Sequence, residues 1–204
     1  IKPGRDVEML AGLRSAFPDT SFMADANSAY TLDDVDRLKE LDALDLMMIE
    51  QPLRYDDFLD HAKLQERIST PVCLDESIKS TGDTELALEL GSCRIINIKP
   101  GRVGGLTTSR AIHDMMRAAG LPVWCGGMLE SGVGRAHNVA LASLPNFTLP
   151  GDISASRRYW EQDIVSPEFE VDDGQMAVPT GPGIGVEVDV ERIEAITVRE
   201  AAFG

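Results

Sequence analysis

At 204 residues, 43% hydrophobic and 26% charged, the chain has the length and apolar content for one large domain or two small ones with a true core. Its formal net charge of -15, with no basic stripe, argues against a nucleic-acid partner. The apolar runs are strand-length and too short to span a bilayer, so no membrane partner is expected. Cys73, Cys93 and Cys125 are odd in number, and each lies in or beside an apolar run. They read as buried thiols of a cytoplasmic protein, not as a disulfide framework or a zinc site.

The chain opens IKPGR, and the same five letters return at Ile98 to Arg102. After the first copy come apolar runs that each end in a polar or glycine-rich turn: SFMAD, LMMIE, PVCLD, RIINIK, PVWC and NFTLP, ending at 25, 50, 75, 99, 125 and 150. Between them lie stretches of helical spacing. Leu32, Val35, Leu38 and Leu41 follow Thr31, which the acids Asp33 and Asp34 mark as a helix start. Ile112, Met115, Met116 and Ala119 form a second stripe, closed by Gly120. Strand then helix at near-constant length predicts an α/β fold with a parallel sheet, and the unbroken apolar character of the strands predicts cover on both faces.

Every run ends in a reactive or glycine-rich residue, which favours a TIM-like barrel over an open doubly wound sheet. A barrel takes about eight strands; six complete runs are present. One period before Asp25 falls just before Ile1, so the first IKPGR reads as the loop leaving a strand whose body is not in this sequence. The two copies are then two βα turns with shared Pro and Gly chemistry. Lys99 ends its strand, whereas Lys2 lies about two places past the corresponding end, so Lys2 is not given the role of Lys99.

Asp25, Glu50 and Asp75 end three consecutive strands, and in a barrel those ends are neighbours on one rim. Three bare carboxylates would repel one another; a hard divalent cation removes the conflict, and all-oxygen ligation suits Mg²⁺, with Mn²⁺ as the alternative. Lys99 comes next around the rim, where a nearby cation and a dry cleft suit it to proton exchange. In WCGGMLESG, Gly126 and Gly127 allow backbone to approach a ligand, and Met128 and Leu129 offer adaptable apolar contact. Glu130 and Asp152 are placed to orient lysine or substrate. His61, His113 and His137 read as surface or packing residues. GRVGG lacks the spacing of a dinucleotide fingerprint, and LESGVGR that of a hydrolase elbow.

DANSAY, IEQPL, CLDES, NIKPGRVGG, WCGGMLESGVGRA and NFTLPGDISAS together resemble the enolase superfamily, muconate-lactonizing subgroup, and within it the o-succinylbenzoate synthase and N-acylamino acid racemase branch. The resemblance implies a (β/α)₇β barrel with a capping domain, of which this chain lacks the first strand, most of the second and the N-terminal capping segment. Residues 1–155 would be barrel units from the end of strand 2 to strand 8, and 156–204 a C-terminal segment packing toward the missing cap. Asp25, Glu50 and Asp75 would hold Mg²⁺, Lys99 would be the acid/base lysine on one face of a small carboxylate substrate, and Asn27, Gly127 and Met128 would lie near that substrate. The implied chemistry is removal of a proton alpha to a carboxylate through an enediolate, leading to dehydration in menaquinone synthesis or to racemisation, in a homo-oligomeric full-length enzyme.

The family carries a K-x-K pair whose second lysine immediately precedes the residue matching Ile1, and neither lysine is in this sequence. Arg5 stands where the family has tryptophan. The chain by itself is therefore expected to bind Mg²⁺ weakly or not at all and to have little activity. A dipeptide epimerase, a sugar-acid dehydratase on the same scaffold, or an inactive remnant serving as a binding module are the alternatives.

Overall fold

The computed structural model describes residues 1–202, and the chain divides into two compact units, Ile1–Trp124 and Cys125–Gly204.

In the first unit, β1 (Ala24–Asp25), β2 (Ile49–Glu50), β3 (Val72–Leu74), β4 (Ile95–Asn97) and β5 (Val123–Trp124) form one parallel sheet in the order β1-β2-β3-β4-β5. Sequential order with every neighbour parallel requires a crossover between each pair. These crossovers carry α1 (Val7–Ala16, before β1), α2 (Val35–Glu40), α3 (Phe58–Gln65), α4 (Thr81–Leu90), the short α5 (Pro100–Val103) and α6 (Leu106–Ala118). Val72, Cys73, Leu74, Ile95, Ile96 and Val123 are all buried, as an apolar strand covered on both faces must be. Helix ends follow local chemistry. The Ser80 hydroxyl accepts from Asp83 N at the start of α4, and Gly91, at φ 70°, closes it in the left-handed conformation that glycine tolerates.

Three expectations need correction. The stretch from Leu32 to Leu44 is not one helix but 3₁₀, α and 3₁₀ in succession, burying Leu38, Leu41 and Leu44. The buried stripe of α6 is Ser109, Ile112, His113 and Met116, so the helix is turned and His113 takes a packing place while Ala119 is exposed. The NFTLP run forms no regular strand; Pro145 and Pro150 remove two donors around it, and only Phe147 has bridge character. Just past it, Asp152 N donates to Cys125 O at 3.0 Å.

The two IKPGR copies do share turn geometry. Arg5 N donates to Lys2 O at 3.1 Å, and Arg102 N to Lys99 O at 2.9 Å. Lys2 is exposed, whereas Lys99 is partly buried. The Ile1 amine donates to Asp25 O, so the first copy runs beside the end of β1.

The second unit contains α7 (Gly132–Ala142), the antiparallel pair β6 (Val165–Ser166) and β7 (Glu187–Val188), and α8 (Val190–Ile196). Its core joins Ala136, Val139, Val165 and Phe169. A fully buried ion pair, Arg135 to Asp163 at 3.2 Å, is completed by Ser156 and by Gly132 N, so no charge is left bare.

The loop after β1 is tied to α1 and α2 through Asp6. This buried N-cap accepts from Val7 N at 2.8 Å, Tyr30 OH at 2.7 Å and Arg37 Nε at 2.7 Å. The Arg37 guanidinium holds the Asp6 carboxyl well below the usual carboxylate range. A depressed folded value means stability that is present above the ordinary 3.8 and lost as pH falls below it. Asp6→Ala, which orphans the buried Tyr30 hydroxyl, is expected to cost about 2 kcal/mol in urea unfolding at neutral pH. That difference should shrink below pH 3.8.

Candidate functional site

Register decides which side chains share a face. Asp25 pairs with Glu50, and Glu50 with Cys73. Cys73 pairs with Ile95, and Asn97 with Trp124. Side chains alternate along a strand, so Asp75, two past Cys73, and Asn97, two past Ile95, point the same way as Asp25 and Glu50. Lys99, two further, continues that row past the end of β4. Observed contacts agree: Asn97 Nδ2 donates to Glu50 Oε1 at 2.7 Å, Trp124 Nε1 to Cys73 Sγ at 3.2 Å, and Lys99 Nζ to Asp75 Oδ2 at 2.7 Å.

Each carboxylate has its own compensation. Asp75, 4% exposed, takes Lys99 on one oxygen and the Arg102 guanidinium on the other. Arg102 is fixed in turn by Ile78 O, at 2.7 Å from Nε, and by Asn97 O. Glu50, 3% exposed, has Asn97. Asp25 receives Asn27 N at 2.9 Å and Asn27 Nδ2 at 2.8 Å, a local Asx-type closure. As placed, no group of three or more His, Cys, Asp or Glu among the described residues forms a ready metal cage.

Positive charge is nonetheless short at this rim. Burial pushes the Glu50 carboxyl up to about 7, and the nearby charges of Asp25 and Glu76 push the same way against Asn97 and Lys99. The Oε2 of Glu76, next to Asp75, is buried with no hydrogen-bond partner. An all-oxygen, electron-rich donor set of this kind fits a hard divalent cation in its chemistry.

The sequence reading missed Gln51, Asn97 and Arg102. Asn97 was accessible in principle, two residues before Lys99 and therefore on its face. Arg102 lies in the turn after Lys99 and reaches Asp75 only through the fold. Gln51 carries a strained φ of 39°, and Asn27 and Ser28 have φ of 43° and 60°. Left-handed non-glycine residues are uncommon and concentrate at functional sites.

Gly127, Met128, Leu129 and Asp152 belong to the second unit. A Cβ at Gly127 would fall 1.7 Å from Asp152 O, so it is protein backbone that requires glycine there. The Glu130 carboxylate folds back to accept from Met128 N at 2.9 and 2.8 Å and from Asn138 Nδ2 at 2.9 Å, holding the loop that leaves the Met128 and Leu129 side chains 58% and 71% exposed. Asp152 is exposed. His61 is fully buried as a packing residue: Nε2 accepts from Leu53 N at 3.2 Å and Nδ1 faces Asp57 O, and burial lowers its pKa. The three cysteines are buried and form no disulfide among the described residues, with burial raising the Cys93 thiol to about 12. No helix among the described residues is long and apolar enough to cross a membrane.

Parallel βα units with acids and a lysine on one strand-exit face define a domain of the barrel-like α/β class. The chain belongs to the enolase C-terminal domain-like family, whose model matches residues 1–193. It is 60% identical to an o-succinylbenzoate synthase of Geobacillus kaustophilus over 97% of this chain and 52% of that protein. It is 54% identical to an N-succinylamino acid racemase of Thermus thermophilus over 97% and 54%. An enolase-superfamily crystal structure from Listeria innocua superposes with a TM-score of 0.92 at 51% identity, covering 96% of this chain and 53% of that one. The chain thus spans about half the length of the curated relatives it matches. Enolase-superfamily members generally use Mg²⁺.

The raised Glu50 value has a signed consequence. Between 4.5 and about 7 the folded chain holds a proton that the unfolded chain has released, so stability falls as pH rises across that window. In chelator, the thermal midpoint of the wild type should decline over that range, and Glu50→Gln should flatten the decline. An equal slope in both would contradict the assignment.

Proposed function

We propose that this chain is the part of an Mg²⁺-dependent enzyme that removes a proton alpha to a substrate carboxylate, ending in o-succinylbenzoate formation by dehydration, in N-succinylamino acid racemisation, or in both. The observation that carries the reading is Lys99, held at 2.7 Å from Asp75 on the same sheet face as Asp25 and Glu50. Kinship to enzymes of both activities supports it.

Asp25, Glu50 and Asp75 would hold the metal. Bound there, Mg²⁺ would supply positive charge for the second negative charge that the substrate carboxylate acquires. Lys99 as the neutral amine takes the alpha proton and becomes the ammonium that Asp75 stabilises, and Arg102 keeps Asp75 in place for it. From there either the K-x-K lysine of the missing segment would give a proton to the opposite face, giving racemisation, or the Lys99 ammonium passes its proton to a β-hydroxyl, which leaves as water. Asn27, Gly127, Met128, Leu129 and Asp152 are assigned to substrate, and residues 156–204 to packing against a capping segment.

The test is α-proton exchange of N-succinylamino acids in D₂O, followed by NMR. The 204-residue chain alone is expected to stay near background. Joined to the N-terminal half of the Geobacillus kaustophilus relative it should exchange, and Lys99→Ala in that protein should lose about 10²-fold or more. Strong exchange by the chain alone, or an unaffected Lys99→Ala, would overturn the assignment.

A further inference from the structure

We infer that Gln51 is the positioning residue of this rim: it fixes Asp25, Glu50 and Asp75 relative to one another and thereby sets the affinity for a divalent cation. The inference rests on the metal reading proposed above.

Gln51 immediately follows Glu50, is fully buried, and has left the extended conformation at φ 39°. That excursion is strained and persists only where the surroundings over-determine it. Here they do. The backbone N donates to Cys73 O at 2.8 Å, and the backbone O accepts from Ser28 N at 2.7 Å. The side-chain Oε1 accepts from Asp75 N at 2.9 Å and from Ser77 N at 3.2 Å. Nε2 donates to Ser77 Oγ at 2.8 Å and to Leu53 O at 3.2 Å. The side chain of Gln51 therefore uses both amide protons and both acceptor positions of its oxygen.

The destinations of these bonds matter more than their number. Ser28 lies in the loop that begins at Asp25, Asp75 and Ser77 lie at the exit of β3, and Gln51 itself continues β2 beyond Glu50. One residue thus spans the exits of the three strands whose last acids form the rim. A core glutamine needed only for packing would have no reason to bond the main chain of Asp75. Asp25, Glu50 and Asp75 are like charges on one face, so an untied β3 exit would let them spread apart. Both acceptor positions of the Gln51 side-chain oxygen are used, which makes it a residue that acts through the acids.

The measurement is Mn²⁺ binding to the 204-residue chain joined to the N-terminal half of the Geobacillus kaustophilus relative, read from the loss of the free-ion EPR signal up to millimolar metal, at a temperature where circular dichroism shows each variant folded. Gln51→Met keeps the length and discards the four side-chain bonds; it should weaken binding about tenfold or more, the range typical of residues that orient metal ligands. Ser77→Ala removes one of those bonds and should weaken binding by a smaller factor while folding normally, so it carries the test if Gln51→Met does not fold. A purely structural Gln51 would lower the melting midpoint and leave Mn²⁺ affinity within twofold, and that result overturns the inference. Glu50→Gln separates the two layers of the claim. If the wild type binds no Mn²⁺, or Glu50→Gln binds as the wild type does, the metal reading fails and the inference with it. If Glu50→Gln is impaired and the folded Gln51 and Ser77 variants are not, only the inference fails.

Discussion

Like charge in a confined space is the constraint on which the rim depends. Parallel pairing in a single register turns Asp25, Glu50 and Asp75 to one face at the ends of adjacent strands, where two of the three are almost fully buried. Carboxylates so placed cannot all stay ionised without compensation. Lys99 and Arg102 take the two oxygens of Asp75, Asn97 donates to Glu50, and Asn27 folds back on Asp25. Even so, Glu50 is pushed toward neutrality and an oxygen of Glu76 is left without a partner. The rim is thus short of positive charge, and that deficit links the fold to the chemistry proposed for it.

The scaffold serves this rim by being stiff beneath and shaped above. Val72, Leu74, Ile96 and Val123 leave the strands no freedom to slide, because a slip of one residue would turn the acids to the other face. Beyond the strand ends the backbone departs from extended geometry at Asn27, Ser28 and Gln51, each held by hydrogen bonds to a neighbouring strand exit or to the carboxylate it follows. Asp6 adds a second tie, drawing Tyr30 of the first loop down onto α1 and α2.

Much of this was legible in the sequence, for reasons that can be stated. Apolar runs of strand length closing in Asp25, Glu50, Asp75 and Lys99 gave both the parallel sheet and the row of charged ends, because strand termini and buried faces are local properties. What was hidden is what the fold alone brings together. Arg102 looked like part of a glycine-rich turn until it met Asp75. Gln51 looked like the polar start of a loop, although its bonds reach Ser28, Asp75 and Ser77. The stripe of α6 was misjudged because apolar spacing put Met115 and Ala119 in it, whereas Ser109 and His113 are the residues buried beside Ile112 and Met116. NFTLP has the composition of a strand, but Pro145 before it and Pro150 at its end leave it without regular strand structure. Gly127 was read as letting backbone approach a ligand, and the nearness of the Asp152 backbone is a second reason for glycine that only the fold reveals.

The central claim is that the rim's unbalanced acids are completed by one hard cation. A crystal structure of the chain joined to the N-terminal half of the Geobacillus kaustophilus relative and grown with Mn²⁺, with the anomalous signal locating the ion, tests it most directly. The account predicts a single peak with oxygens of Asp25, Glu50 and Asp75 within about 2.2 Å, the range of hard-cation ligation. A crystal in which the ion is absent from the rim while Asp75 keeps both Lys99 and Arg102, or in which it binds away from these three acids, would contradict it.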